Sequence, residues 1–453
     1  MKYPYAWLLF LGSLSLPAAS VFTTEGRQIL LNGEPFTVKG ICYNPTQIGR
    51  DMSREQPFSD FYTALFLNLT ANDMVNLRRM GANTIRGYGW TPRSNHKSFM
   101  DRAYNEGENP IHMFINRWID PNTNWGDANA VNLIKDEWTT IAEETKDHPA
   151  VIGYLIGNEH NKDSGNGFNP LFWQAMETIA AAVKAVAPDK LVSVPITDRI
   201  DQVTQFDETL SSIDFWSLQV YRGTSFFSLF DEYANASEKP LIITEFGYDA
   251  YDNLTNSEYP DDAAFPADVV EGLIKESQEA SDVCAGVIVF EYRDEWWKAT
   301  GSPSQQESGG FFNGGFPDRS MNEEWWGIFS AEDNGFLPDI LRPRALYYRL
   351  IALWNPIPDF SARFDFDNPS LVVEFERDAE DRDFRYAVEV TNDLENWMAI
   401  ADNENSIALV AKGEENLSIT ETPEDDRVRI RIEDPRFFDR SSRTFLRAGV
   451  GNR

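Results

Sequence analysis

The chain has 453 residues, 72 of them acidic and 40 basic, for a formal net charge of −32. That length exceeds one ordinary core and implies two domains, or one large barrel with an appendage. The charge excludes nucleic acid and anionic membrane as partners, and no Lys or Arg cluster offers a basic groove to a sulfated or uronic polymer.

Residues 1–20 read as a secretory signal peptide: Lys2 gives a positive start, Tyr5 to Leu16 an apolar core, and Ala18-Ala19-Ser20 a small-residue cleavage region. No later run is long and apolar enough to span a bilayer, so a secreted, periplasmic or cell-surface location with no membrane span after signal removal is expected. Asn32-Gly33 marks a hairpin turn, and Phe36–Tyr43 a first strand ending at Asn44-Pro45. A helix over Ala71–Met80, stopped by Gly81, precedes a strand over Asn83–Trp90. A helical piece near Ser98–Glu106 and a strand over Ile111–Trp118 follow. Val131, Ile134, Trp138 and Ile141 then fall at helical spacing.

The fourth strand lies in HPAVIGYLIGNEHN, where an apolar run from Val151 to Ile156 breaks off into Gly157-Asn158-Glu159. Beyond it the pattern predicts a helix over Leu171–Val186, strands over Lys190–Thr197, Ile213–Tyr221 and Leu241–Phe246, a helix over Ala263–Glu279, a strand over Ala285–Tyr292 and a last helix over Pro343–Leu353. Eight strands alternating with helices predict a (β/α)8 TIM barrel over residues 21–355. A doubly wound open sheet is the alternative, weakened because no glycine-rich nucleotide loop follows the first strand. After Trp354-Asn355-Pro356 the period falls to two, as in Arg427 to Ile432, which predicts a small all-β, sandwich-like domain over 356–453.

Four predicted strand ends carry polar groups an apolar strand has no use for: Arg86, Glu159, Tyr221 and Glu245. All fall at C-terminal ends, the face on which barrel enzymes place their chemistry. Two carboxylates on one face suggest glycoside cleavage, one protonating the leaving oxygen while the other attacks the anomeric carbon or activates water. Their protonation must differ, and Arg86 would hold one of them ionised. A non-catalytic carbohydrate-binding protein on the same fold is the alternative, and the presence of both glutamates favours the enzyme.

These segments resemble clan A glycoside hydrolases, which are retaining (β/α)8 enzymes. HPAVIGYLIGNE followed by ITEFG resembles their catalytic signatures, NGEPFTVKGICYNP their first strand, MGANTIRGYGW their second, DFWSLQVYRG their sixth and RPRALYYRL their closing helix. Within the clan the chain is most similar to the family 2 barrel and to the family 72 β-1,3-glucanosyltransferases. The resemblance implies Glu159 as general acid and base, Glu245 as nucleophile, Asn158 as partner of the sugar 2-hydroxyl, and Arg86 and Tyr221 as orienting groups. It implies a retaining β-glycosidase or transglycosidase on a neutral β-linked polysaccharide, β-1,3-glucan first, with carboxyls about 5 to 5.5 Å apart.

Tyr43 and Asn44 at the end of the first strand join the candidate substrate-binding set. Where the family carries an aromatic near the end of the eighth strand, this chain has Glu291-Tyr292, then Trp296 and Trp297, so which aromatic floors the sugar site stays open. The added acids either touch sugar hydroxyls or belong to a loop. Trp90, Trp118, Trp125, Trp325 and Trp326 also fall on or after predicted strands, for stacking on sugar or for core packing. Four histidines without paired spacing give no zinc motif, so no metal and no cofactor are expected.

The two cysteines, Cys42 and Cys284, fall near opposite ends of neighbouring strands. At about 3.3 Å per residue the strand length between those levels is roughly 23 Å, against ~4.4 to 6.8 Å between Cα atoms in a disulfide. Alkylation of the denatured, unreduced chain should therefore label two thiols; a mass showing a Cys42–Cys284 bridge would overturn this and the strand assignment together.

Overall fold

The computed structural model describes residues 20–354, apart from 300 and 336–337, and strands between Ser361 and Asn452. The expected signal peptide, through residue 19, and the expected domain boundary at 355 lie outside the described residues. The core is a ring of parallel strands: β1 (Val38–Cys42), β2 (Thr84–Arg86), β3 (His112–Arg117), β4 (Val151–Ile156), β5 in two halves (Leu191–Ser193 and Pro195–Thr197), β6 (Trp216–Gln219), β7 (Leu241–Phe246) and β8 (Cys284–Val289). β8 pairs with β1 through Gly286↔Val38 to Val289↔Ile41. The first half of β5 pairs with β4 and the second with β6. The expected eight-stranded barrel is closed, with its seam inside one interrupted strand.

The strands are where apolar residues run unbroken. VIGYLI, LIITEF and CAGVIV are buried along their whole lengths, as parallel strands covered on both faces must be. Each strand is followed by a helix: α1 (Leu67–Arg79), α2 (Lys97–Tyr104), α3 (Ala128–Thr145), α4 (Pro170–Val186), α5 (Ile200–Phe206), α6 (Leu229–Ala234), α7 (Ala264–Glu279) and α8 (Ala345–Trp354). Side-chain oxygens of Asp127 and Asn169 cap α3 and α4, and Pro170 fills the first turn of α4, where its missing N–H is no loss. Asn32 and Gly33 take the left-handed conformations a tight hairpin needs, with φ of 53° and 88°.

Three differences from the sequence reading share one cause, the size of the loops on one face. β2 and β6 are shorter than expected because Gly87 to Trp90 and Val220-Tyr221 leave the ladder to enter those loops. α5 and α6, of 7 and 6 residues, were not anticipated, being too short for a helical period to register. The connection from β8 to α8 holds two hairpins, β9 (Gly310–Phe312) with β10 (Ser320–Asn322) and β11 (Phe329–Glu332) with β12 (Ile340–Pro343), inside a polar stretch that carries no strand pattern.

Beyond α8 the described residues all lie in strands. One antiparallel sheet orders β13 (Ser361–Asp365), β14 (Ser370–Asp378), β19 (Arg427–Asp434) and β18 (Ser418–Glu424); the other orders β17 (Val410–Ala411), β16 (Met398–Asp402), β15 (Phe384–Thr391) and β20 (Phe445–Asn452). Cys42 ends β1 and Cys284 begins β8, and both are free and buried.

Gly153 shows how tightly β4 and β5 meet. A Cβ there would lie 2.0 Å from the carbonyl oxygen of Leu191, a backbone atom that cannot turn aside. Gly153→Ala is therefore expected to cost about 1–3 kcal/mol, read as a lowered Tm; an unchanged Tm would refute the close approach.

Candidate active site

Glu245 lies one residue from the end of β7 and is 6% exposed. Its carboxylate is met by donors from two other strands and the segments that extend them. Arg86 Nη1 (2.8 Å), Tyr88 Oη (2.6 Å) and Gln219 Nε2 (3.0 Å) all donate to Oε1, and Tyr221 Oη donates to Oε2 at 3.1 Å. Arg86 has no solvent exposure. Its second terminal nitrogen donates to Asn158 Oδ1 at 2.5 Å, and Gln219 Nε2 reaches the same oxygen at 2.6 Å. With that oxygen doubly engaged, the N–H donors of the Asn158 amide carry no partner among the described residues.

Glu159 arrives by a different device. After β4 the chain turns through Gly157 at φ +73°, and Glu159 itself is left-handed at φ 53°. Asn116 holds that turn by donating to the carbonyls of Leu155 (2.6 Å) and Gly157 (2.7 Å), while the Glu159 N–H donates to Pro195 O at 3.0 Å. Lys162, one turn along the following helical segment, forms an ion pair with Glu159 Oε2. Burial raises the Glu159 pKa above the ordinary carboxylate value and the charge of Glu245 raises it further, while Lys162 and then Arg86 oppose. Glu245, in contrast, sits in a nest of four side-chain donors.

The other candidates divide. Asn44 reaches the end of β8, donating from Nδ2 to Glu295 Oε1 at 2.5 Å. Glu291, 1% exposed, lies beside Glu295 and Lys298, whose ammonium is 2.7 Å from Glu295 Oε2 and 3.9 Å from Glu291 Oε1. Burial, then the neighbouring Glu295, pushes the Glu291 carboxyl well up. Tyr43 and Tyr292, expected at the sugar site, are instead fully buried. Their rings pack edge to face at 5.3 Å, and their hydroxyls donate to the two oxygens of Asp73 on α1 at 2.8 and 2.9 Å. Trp296 and Trp297 are half-buried, with indole N–H groups that meet no acceptor among the described residues.

The indole that packs on Tyr221 is Trp326, reached through the long β8–α8 connection rather than at the end of β8. It packs edge to face on Tyr221 at 5.1 Å and on Phe290 at 5.9 Å, and Phe290 meets Tyr88 and Tyr221 in turn. Trp90 and Trp125 belong to the core, whereas Trp118, just after β3, is 59% exposed. Sequence reasoning missed Tyr88 and Gln219, although each lies two residues from a chosen one, Arg86 and Tyr221, and a strand turns such residues to the same face. Trp326 was named only as one of several tryptophans for stacking or packing, and Lys162 carries no comparable signal.

A family model described as glucanosyltransferase, glycoside hydrolase family 72, matches residues 19–300. The 1,3-beta-glucanosyltransferase GAS4 of Saccharomyces cerevisiae is 22% identical over 293 residues, 58% of this chain and 57% of that one. A 1,3-beta-glucanosyltransferase of Arthroderma benhamiae is 24% identical over 206 residues, 42% of this chain and 36% of that one. The chain thus spans little more than half the length of the first relative and about a third of the second. Among solved structures, Saccharomyces cerevisiae Gas2p in complex with laminaripentaose aligns with a TM-score of 0.51 at 18% identity, covering 75% of this chain and 70% of that one. The GH2 beta-galacturonidase from Eisenbergiella tayi aligns at 0.52 and 16%, covering 75% and 54%. These two likenesses show the fold. The matched region contains the strands that carry Arg86, Asn158, Glu159, Tyr221 and Glu245, and the chain belongs to the glucanosyltransferase family, glycoside hydrolase family 72.

Proposed function

We propose that the chain is an exported retaining transglycosidase that cleaves β-1,3-glucan and passes the glycosyl unit to water or to a second glucan. The observation that carries this reading is the pairing of unlike carboxyls. Glu245 is held by four donors, which suits a nucleophile, and Glu159 has a raised pKa, which suits an acid at neutral pH. Glu159 protonates the leaving oxygen while Glu245 attacks the anomeric carbon, forming a glycosyl ester. Oε2, with the single donor Tyr221 against three on Oε1, is the oxygen freer to attack. Glu159, now ionised, takes the proton of the incoming hydroxyl and the ester is released.

Asn158 presents its amide N–H to the sugar 2-hydroxyl, and Arg86 and Tyr221 keep Glu245 aligned. The relatives named as 1,3-beta-glucanosyltransferases and the laminaripentaose bound by Gas2p support the substrate. Export fits the leader-like composition of residues 1–20, and no helix among the described residues is long and apolar enough to cross a membrane.

On laminari-oligosaccharides, proton NMR should show the β-anomer forming first, together with products longer than the substrate. Glu245→Gln and Glu159→Gln should each lose about 10²-fold or more in kcat. An α-anomer first product would refute retention, and full activity in Glu245→Gln would discard the nucleophile. The first step needs Glu159 protonated, so its ionisation sets the alkaline limb of the pH profile. Lys162 favours the ionised form, so Lys162→Met should move that limb to higher pH; a limb that stays in place or moves down would refute the pairing.

A further inference from the structure

The β9–β10 hairpin is mounted on the segment that carries Tyr221. Asn313, at the start of its turn, donates from Nδ2 to Tyr221 O at 2.8 Å. A Cβ on Gly223 would strike the carbonyl oxygen of Gly315, so the two backbones meet with no side chain between them. Phe316, 2% exposed, stacks on Tyr248 at 5.1 Å and meets Trp326 edge to face at 6.1 Å. Asn253 Nδ2 donates to Asp318 Oδ2 at 3.0 Å and to Asn322 Oδ1 at 2.7 Å. Turn and second strand are thus both fixed, and what they are fixed to includes the tyrosine and the indole beside it that stand behind Glu245.

The first strand of the hairpin is used differently. Phe311 is 62% exposed and Phe312 80%. Neighbours in a strand point to opposite faces, yet both of these rings are open to solvent, and neither joins the core or packs against it. Large apolar side chains exposed side by side mark a binding surface, and a rigid mount spares a ligand the cost of ordering it. The net charge of −32 disfavours a second copy of the chain and an anionic lipid as the occupant. A glucan chain is uncharged, and its pyranose rings carry flat C–H faces that an aromatic ring covers. The surface is also continuous with the face to which that substrate is assigned, through Asn313 and Tyr221.

We infer that Phe311 and Phe312 form a further glucan-binding site, which holds sugar units of a long chain beyond the one at Glu245. This rests on the transglycosidase reading above and adds a dependence on chain length. Only a glucan long enough to extend past Tyr221 onto the hairpin reaches the two rings. Contacts so far from the reacting bond are the same in the ground state and the transition state, so they lower KM for long chains and leave kcat as it is. Short chains gain nothing from them.

The test measures kcat and KM on a ladder of β-1,3-gluco-oligosaccharides, from the shortest one cleaved up to a long soluble glucan. It compares wild type, Phe311→Ala, Phe312→Ala, the double variant and Leu133→Ala, which removes a side chain 64% exposed on α3 and should match wild type. On long chains the double variant should raise KM about five- to tenfold, with kcat and Tm unchanged, and it should cleave the shortest substrate as wild type does. A KM within twofold of wild type at every length, or a loss that falls equally on short and long chains, would overturn the inference and leave the functional reading standing. Sedimentation in which wild type dimerises and the double variant does not would assign the rings to a second copy and overturn it too. A wild type inactive at every length would overturn the functional reading and this inference with it.

Discussion

Holding the Glu245 side chain in place where it is only 6% exposed is the constraint on which this face of the barrel depends. A buried carboxylate is tolerated only with its charge paired and its lone pairs filled. Arg86 supplies the charge from β2, Gln219 supplies an amide from β6, and Tyr88 and Tyr221 supply hydroxyls from just past the ends of those strands. None is adjacent to Glu245 in sequence; only the closed ring brings them together. Breaking such a buried pair by removing one partner typically costs about 3–5 kcal/mol, so the same contacts that prepare the carboxylate also tie β2 and β6 to β7.

The aromatic layer follows from that arrangement. The tyrosines can point their hydroxyls at one carboxylate only if their rings are held from behind, and Phe290 and Trp326 do this through edge-to-face contacts between 5.1 and 6.4 Å. Phe290 is in turn capped by the Lys298 ammonium, which the buried glutamates 291 and 295 hold in place. Two carboxyls face one ammonium, and burial together with the neighbouring Glu295 pushes the Glu291 pKa well up. The acids that follow β8 therefore hold Lys298 over Phe290, and the indole that packs on Tyr221 comes from residue 326.

The barrel was legible because its strands are buried on both faces and read as apolar runs between helical periods, and the four polar strand ends stood out against that background. Arg86, Tyr221 and Glu245 were found this way and do converge. Tyr88 and Gln219 were within reach of the same logic, one strand period from chosen residues. That Tyr43 and Tyr292 meet Asp73 was not legible, because an aromatic at a strand end looks the same whatever it faces, and the partner lies on a helix the pattern does not connect to them. Trp326 was named only as one of several tryptophans, with nothing to show that it packs on Tyr221. It sits in a long connection whose hairpins are fixed by contacts such as Asn253 with Asn322 and Gln306 with Asp294, which leave no periodic trace.

The interruption of β5 divides the two carboxyls by how firmly each is anchored. Glu245 lies inside a strand flanked by paired neighbours, β6 and β8. Glu159 hangs from the seam: its N–H is bound to Pro195, first residue of the second half-strand, and that half-strand holds its neighbour by three residue pairs. The asymmetry fits the proposed double displacement, in which one carboxyl would stay fixed to carry a covalent bond while the other would serve first a departing sugar and then an arriving one of different size.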